Sequence, residues 1–108
     1  MRFIPLISVA LVMGGCSLTL PVQGVSTTGD ESFSGTATGY TDGGGTLEIA
    51  SSKGLKCSGT FVYVTPRQGQ GTFNCDNGKS GPFQFVSTGM RGTGTGEIGG
   101  RKFTFTFG

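Results

Sequence analysis

The sequence predicts an all-β fold: about seven antiparallel strands in an up-and-down meander, curled into a small barrel or half barrel, after an N-terminal signal peptide. Three observations carry this prediction. Glycine fills 22 of 108 positions and phenylalanine 9, and glycine at that density excludes long helices, because each one costs about 1 kcal/mol inside a helix. Beyond residue 30, glycine or an apolar residue alternates with a polar one, the period of 2 that puts one set of side chains on a single face of a strand. The glycines Gly45, Gly71 and Gly96, each opening such a stretch, are spaced 26 and then 25 residues apart. That period fits repeated hairpins, and the length allows one small domain.

In chain order, Arg2 gives a positive start to an apolar run over residues 3–13, interrupted only by Pro5 and Ser8 and followed by Gly14, Gly15 and Cys16. A bilayer span needs about 20 apolar residues. A run of 11 followed by small residues is the pattern of a cleaved export signal, assigned to residues 1–15. The stretch Leu11-Val12-Met13-Gly14-Gly15-Cys16 resembles a bacterial lipobox, with Met13 at the place where such motifs most often carry leucine. The resemblance implies a small bacterial lipoprotein of outer-membrane type, in which Cys16 is lipidated and becomes the new N-terminus. Membrane attachment then runs through the lipid on Cys16, and several acyl chains on one residue satisfy the two-signal requirement for stable anchoring. Ser17 stands where such lipoproteins often carry the aspartate that favours inner-membrane retention, which implies the periplasmic face of the outer membrane.

Three cysteines in an exported chain leave one unpaired. Lipidation of Cys16 accounts for it and leaves Cys57 and Cys75 to form a disulfide in an oxidising compartment. Residues 16–30, polar or mixed with Pro21, Gly24 and Gly29, read as a flexible lipid-anchored tether, with a short edge strand over 18–25 as the competing reading. The β-meander domain is then 31–108.

Within it, Phe33, Gly35, Ala37 and Gly39 alternate with Ser34, Thr36 and Thr38, and residues 42–45 turn into the next strand. A three-residue loop at Ser52-Lys53-Gly54 sets Leu47 opposite Gly59 and Ile49 opposite Cys57. Pairing across Pro66 sets Cys57 opposite Cys75, Gly59 opposite Phe73 and Phe61 opposite Gly71, with Lys56, Ser58, Thr60 and Val62 on the wetter face. A bulged Asn77-Gly78 turn keeps Phe73 on one face with Phe83 and Phe85. Residues 80–87 then lie beside 92–98, with Phe83 over Gly94 and Phe85 over Gly92. A Gly99-Gly100 turn sets Phe103, Phe105 and Phe107 over Gly96, Gly94 and Gly92, rings covering glycines as in aromatic rescue. The element Asn77-Gly78-Lys79-Ser80-Gly81 resembles the turn of MORN-type hairpins, over that one turn and without their Tyr-x-Gly-x-Trp opening. The first and last strands of a seven-strand meander run parallel, so antiparallel closure needs an eighth.

The composition also bounds function. The chain has no histidine and no tryptophan, which removes the usual triads, histidine zinc sites and the commonest general base. A net charge of +2 gives no broad basic surface, so no nucleic-acid partner is expected. The carboxylates Asp30, Glu31, Asp42, Glu48, Asp76 and Glu97 offer no pair facing across a cleft at the roughly 5–9.5 Å that glycosidase chemistry requires. Asp30 and Glu31, as neighbours in a strand start, point to opposite faces, so no metal site is expected and no cofactor. Gly92-Thr93-Gly94-Thr95-Gly96 lacks the spacing of a dinucleotide or phosphate loop. Arg101, beside Ile98, is the one charge on the aromatic face. Its plain reading is a snorkelling side chain or a cation over a ring, and its sharper one an anchor for an anionic ligand at the barrel mouth. The expectation is a lipid-anchored, non-enzymatic envelope protein with a structural or interaction role and an envelope protein as partner. The alternative is a periplasmic binding or inhibitor module, for example against a lytic enzyme.

Overall fold

The computed structural model describes residues 17–108, which form eight strands: β1 (Ser17–Ser26), β2 (Ser32–Tyr40), β3 (Gly44–Ser51), β4 (Lys56–Tyr63), β5 (Gln68–Cys75), β6 (Ser80–Thr88), β7 (Arg91–Ile98) and β8 (Arg101–Phe107). Each strand pairs antiparallel with the next, and β1 also pairs with β8, so the meander is a closed barrel. The signal peptide expected over 1–15 and the lipidation site Cys16 lie outside the described residues.

The expected tether is the main correction. Residues 17–26 are β1, the eighth strand that antiparallel closure demands, and only the turn over 27–31 separates it from β2. The alternation is present: Leu20, Val22, Gly24 and Ser26 are shielded, whereas Thr19, Pro21, Gln23 and Val25 are exposed. Pro21 hides it, since proline cannot donate to a ladder. Here the peptide carbonyl of Pro21 accepts from Gly108 N at 3.0 Å, so this residue faces β8, and the β1–β8 rungs begin one residue later, at Val22↔Phe107. The missing N–H therefore falls where the neighbouring strand has ended and costs no rung.

Most expected registers are present, including Leu47↔Gly59, Ile49↔Cys57, Cys57↔Cys75, Phe61↔Gly71, Gly94↔Phe105 and Gly92↔Phe107. The bulge after Cys75 keeps the rings together, with Phe73↔Gly81 and Gly71↔Phe83. Between β6 and β7 the register is two residues away from the expected one: Phe83 faces Gly96 and Phe85 faces Gly94. The cause is the turn. Gly89 takes φ +71°, so the chain reverses at Gly89-Met90 and β6 continues to Thr88. A shift of two preserves face parity, which is why the inward set is the expected one all the same.

Eight strands enclose an interior just wide enough for side chains to fill. Phe33, Phe61, Phe73, Phe83, Phe85, Phe103 and Phe105 are buried there with Val22, Leu47, Ile49, Cys57 and Ile98. The rings form a ladder along the axis: Phe33 to Phe103 (5.3 Å), Phe103 to Phe73 (5.7 Å), Phe73 to Phe83 (4.4 Å) and Phe83 to Phe105 (6.2 Å). Glycine is required beneath them. A Cβ on Gly94 would collide with the Phe105 ring and stand 2.6 Å from the Gln84 carbonyl oxygen. The Cys57–Cys75 disulfide staples β4 to β5. The flanking bond from Asp76 N to Lys56 O marks this as a non-hydrogen-bonded rung, where opposed side chains come closest. Residues 17–108 thus hold every strand, the buried side chains and the staple, and closure leaves no unpaired edge, so the barrel is a folding unit in itself.

Candidate functional site

The two ends of the barrel differ in chemistry. One carries the turns β1–β2, β3–β4, β5–β6 and β7–β8, and is charged. Arg101 closes it: Nη1 donates to Glu31 Oε1 at 2.8 Å and Nη2 to Asp30 Oδ1 at 2.6 Å. Lys53 Nζ reaches Asp30 Oδ2 at 3.3 Å. Glu31 faces inward with Phe33 and is 8% exposed, and its backbone N–H donates to Ser26 Oγ. The two adjacent acids converge on one guanidinium instead of diverging, because both precede Ser32, where β2 begins, and strand alternation does not govern a turn. Arg101 is therefore bonded to the chain's own carboxylates at the position where the sequence suggests an anchor for an anionic ligand. Among the described residues no three acidic or thiol side chains converge as metal ligands do.

Asp30 is held well below the usual carboxylate range. The Thr28 hydroxyl donates to Oδ1 at 2.6 Å and the Ser26 hydroxyl at 2.9 Å, and Lys53 and Arg101 add to the effect. Its folded pKa lies below the unfolded value of about 3.9, so the stabilisation it provides is present above about pH 4 and is lost as pH falls through the depressed folded value. Carboxyl carbon shifts followed by NMR should show Asp30 still ionised at about pH 3, and Asp30→Asn should flatten the acid limb of the stability curve. Titration of Asp30 near its ordinary value would contradict the hydroxyl cage.

The opposite end holds the turns β2–β3, β4–β5 and β6–β7, the start of β1 and the end of β8. It is open and apolar. A cavity of about 350 Å³ enters the barrel here, lined among others by Leu18, Leu20, Ala37, Gly39, Phe85 and Phe107. Its origin is an uneven distribution of rings: β4, β6 and β8 supply Phe61, Phe85, Phe105 and Phe107 here, whereas β1 to β3 supply leucine, alanine and glycine at this level. Gly39 shows the difference most directly. A Cβ on Gly45, Gly69, Gly71, Gly92, Gly94 or Gly96 would strike a phenylalanine side chain, but one on Gly39 would find no heavy atom within 4 Å. Its rung partners are Leu18 and Gly45, neither of which carries a ring over it. Ser17, Tyr40, Thr41 and Tyr63 bring the side-chain hydroxyls of the lining, and that of Tyr63 donates to Ser87 Oγ at 3.4 Å. None of these residues stands out as a site in the sequence alone, where residues 17–26 read as tether.

No protein-family model matches the chain, and no curated protein sequence does. Two designed barrels are similar in structure. A redesigned β-barrel, mFAP1, bound to DFHBI superimposes with a TM-score of 0.68 at 14% identity over 82% of this chain and 90% of its own. A de novo designed fluorescence-activating β-barrel gives 0.63 at 16% identity over 82% of this chain and 88% of its own. These likenesses support the closed antiparallel barrel.

Proposed function

We propose that the protein is a lipid-anchored, non-enzymatic binding module of the cell envelope whose open barrel end takes a small apolar ligand. The observation that carries this reading is Gly39, an inward position with free space above it in an apolar cavity that opens to solvent. At about 350 Å³ the cavity lies at the lower end of the range for small-molecule sites, about 300–1,000 Å³, and such sites are mostly apolar with a few placed polar groups, a role that the hydroxyls of Tyr40 and Tyr63 fit. The mouth has no carboxylate lining it, which favours binding over acid–base chemistry. The designed barrel bound to DFHBI supports the idea that a barrel of this topology accommodates a small molecule. Anchoring rests on the lipobox-like residues 11–16, and an outer-membrane, periplasm-facing location on Ser17.

The barrel of residues 17–108, titrated with the uncharged apolar dye N-phenyl-1-naphthylamine, should show saturable fluorescence enhancement. Gly39→Phe should weaken dye binding at least tenfold while changing stability by less than about 1 kcal/mol, because the new ring enters free space and does not overpack a filled core. Non-saturable enhancement, or unchanged binding by Gly39→Phe, refutes the mouth as a site. In cells, labelled fatty acid should enter the full chain and be absent from Cys16→Ser; persistent labelling of that variant refutes the anchor.

A further inference from the structure

We infer that the rim of the open end is a membrane-docking surface that holds the barrel end-on against a bilayer containing anionic phospholipid. Eight large apolar side chains are exposed among the described residues, and all except Val25 lie at or next to this end. Leu18, Tyr40, Tyr63 and Met90 form its rim, exposed by 47%, 48%, 38% and 57%. Apolar exposure concentrated at one end of a small barrel marks an interaction surface. Tyr40 at such a rim suits the headgroup level, where an aromatic ring meets apolar surroundings and its hydroxyl meets water.

Charge identifies the partner. Lys53, Lys56, Lys79, Arg101 and Lys102 sit at the far end or beside it with Asp30, Glu31, Asp76 and Glu97, a mixed set in which Lys53 and Arg101 are paired with Asp30 and Glu31. The rim end carries Arg67, in the β4–β5 turn, and Arg91, at the start of β7, against the single acid Asp42. Asp42 is itself engaged, accepting from Gly44 N at 3.0 Å, and neither arginine is ion-paired among the described residues. Two free guanidinium groups flanking an apolar rim match phosphates above acyl chains. A protein interface would also be apolar, but the rim is interrupted by a cavity mouth and offers little flat area to a folded partner. Ser17, to which Cys16 is joined, stands on this rim, so a lipid on Cys16 and the rim would enter the same leaflet as two membrane signals side by side. The cavity then opens toward the acyl region, and a ligand passes between bilayer and barrel without crossing water. Docking of the rim does not depend on the cavity taking a ligand.

The chain has no tryptophan, so a single introduced one reports its own surroundings. In the full lipidated chain, reconstituted into vesicles of phosphatidylethanolamine and phosphatidylglycerol with brominated acyl chains, fluorescence of Tyr40→Trp should be strongly quenched and that of Val25→Trp, on the outer wall toward the charged end, hardly at all. Equal quenching at the two positions, or none at Tyr40→Trp, overturns the end-on orientation. The barrel of residues 17–108 should sediment with the same vesicles. Arg67→Glu/Arg91→Glu should reduce the bound fraction at least fivefold, and Lys53→Glu/Lys79→Glu should leave it unchanged. Equal losses in the two pairs overturn the assignment of the anionic contact to the rim. Gly39→Phe separates the two readings: it should weaken dye binding at least tenfold and keep vesicle binding, and loss of vesicle binding would overturn the rim as a docking surface independent of the cavity.

Discussion

Phe105→Ala is expected to destabilise the barrel by about 3–5 kcal/mol, the range for truncating a buried phenylalanine. The ring is 5% exposed, lies 6.2 Å from Phe83 and 6.0 Å from Phe103, and covers Gly94, its rung partner on β7. Its loss opens a void at the end of the ring ladder, beside the open-end cavity, which neighbours on a closed sheet are poorly placed to fill. Gly94→Val tests the same contact from below. Valine has the better strand propensity, but its side chain would occupy the space of the Phe105 ring and crowd the Gln84 carbonyl, so a loss of about 1–3 kcal/mol is expected. Thr104→Ala and Thr106→Ala, outward on either side of Phe105, should stay within about 0.5 kcal/mol. Chemical denaturation with the disulfide intact measures all four. A stabilising Gly94→Val, or threonine variants as damaging as Phe105→Ala, would mean that the inward and outward faces are reversed.

Removing the staple should be comparably severe. The Cys57–Cys75 bridge spans a sequence separation of 18, for which loop-closure entropy gives about 3 kcal/mol. Against a total of about 5–15 kcal/mol for a typical domain, Cys57→Ser/Cys75→Ser should shift the denaturation midpoint markedly while retaining the barrel's circular dichroism. Mass measurement before and after reduction should differ by two hydrogens, with a tryptic link between the peptides holding the two cysteines. A double variant as stable as the parent would show that β4 and β5 are held by their rungs alone.

The parts of the fold legible in the sequence are those where a large residue must face a small one. Cys57 with Cys75, Gly59 with Phe73 and Gly94 with Phe105 each fix a register, because shifting a strand by one residue sends every ring to solvent. Where the determinant is a turn, legibility is poorer. The alternation in 80–88 does not distinguish Phe83 over Gly94 from Phe83 over Gly96, since both keep parity, and the choice rests on Gly89 adopting a positive φ. β1 is concealed by Pro21, whose tolerance depends on β8 ending at Phe107, a relation between residues far apart in sequence. The candidate site inherits that difficulty. The space above Gly39 exists because its neighbours are Leu18 and Gly45, and without β1 in the sheet there is no mouth to read. Arg101 lies on the expected face, but its partners Asp30 and Glu31 lie in a turn to which period-2 reasoning does not apply.

The rungs between β1 and β8, from Val22↔Phe107 to Ser26↔Phe103, join the first strand to the last, which gives the fold a temporal order. A chain that emerges N-terminus first can form the hairpins of β1 to β7 one after another, since each pairs with its predecessor. The ring of strands stays unsealed until β8 appears. Up to that moment β1 presents an unpaired edge, and so does whichever strand came last, the exposure that invites pairing between separate chains. Sealing also joins the most distant segments, so it carries the largest loop-closure entropy and is expected to set the folding rate. Chains truncated before Arg101 should for that reason accumulate as aggregates, while the intact chain escapes that fate in a single late event.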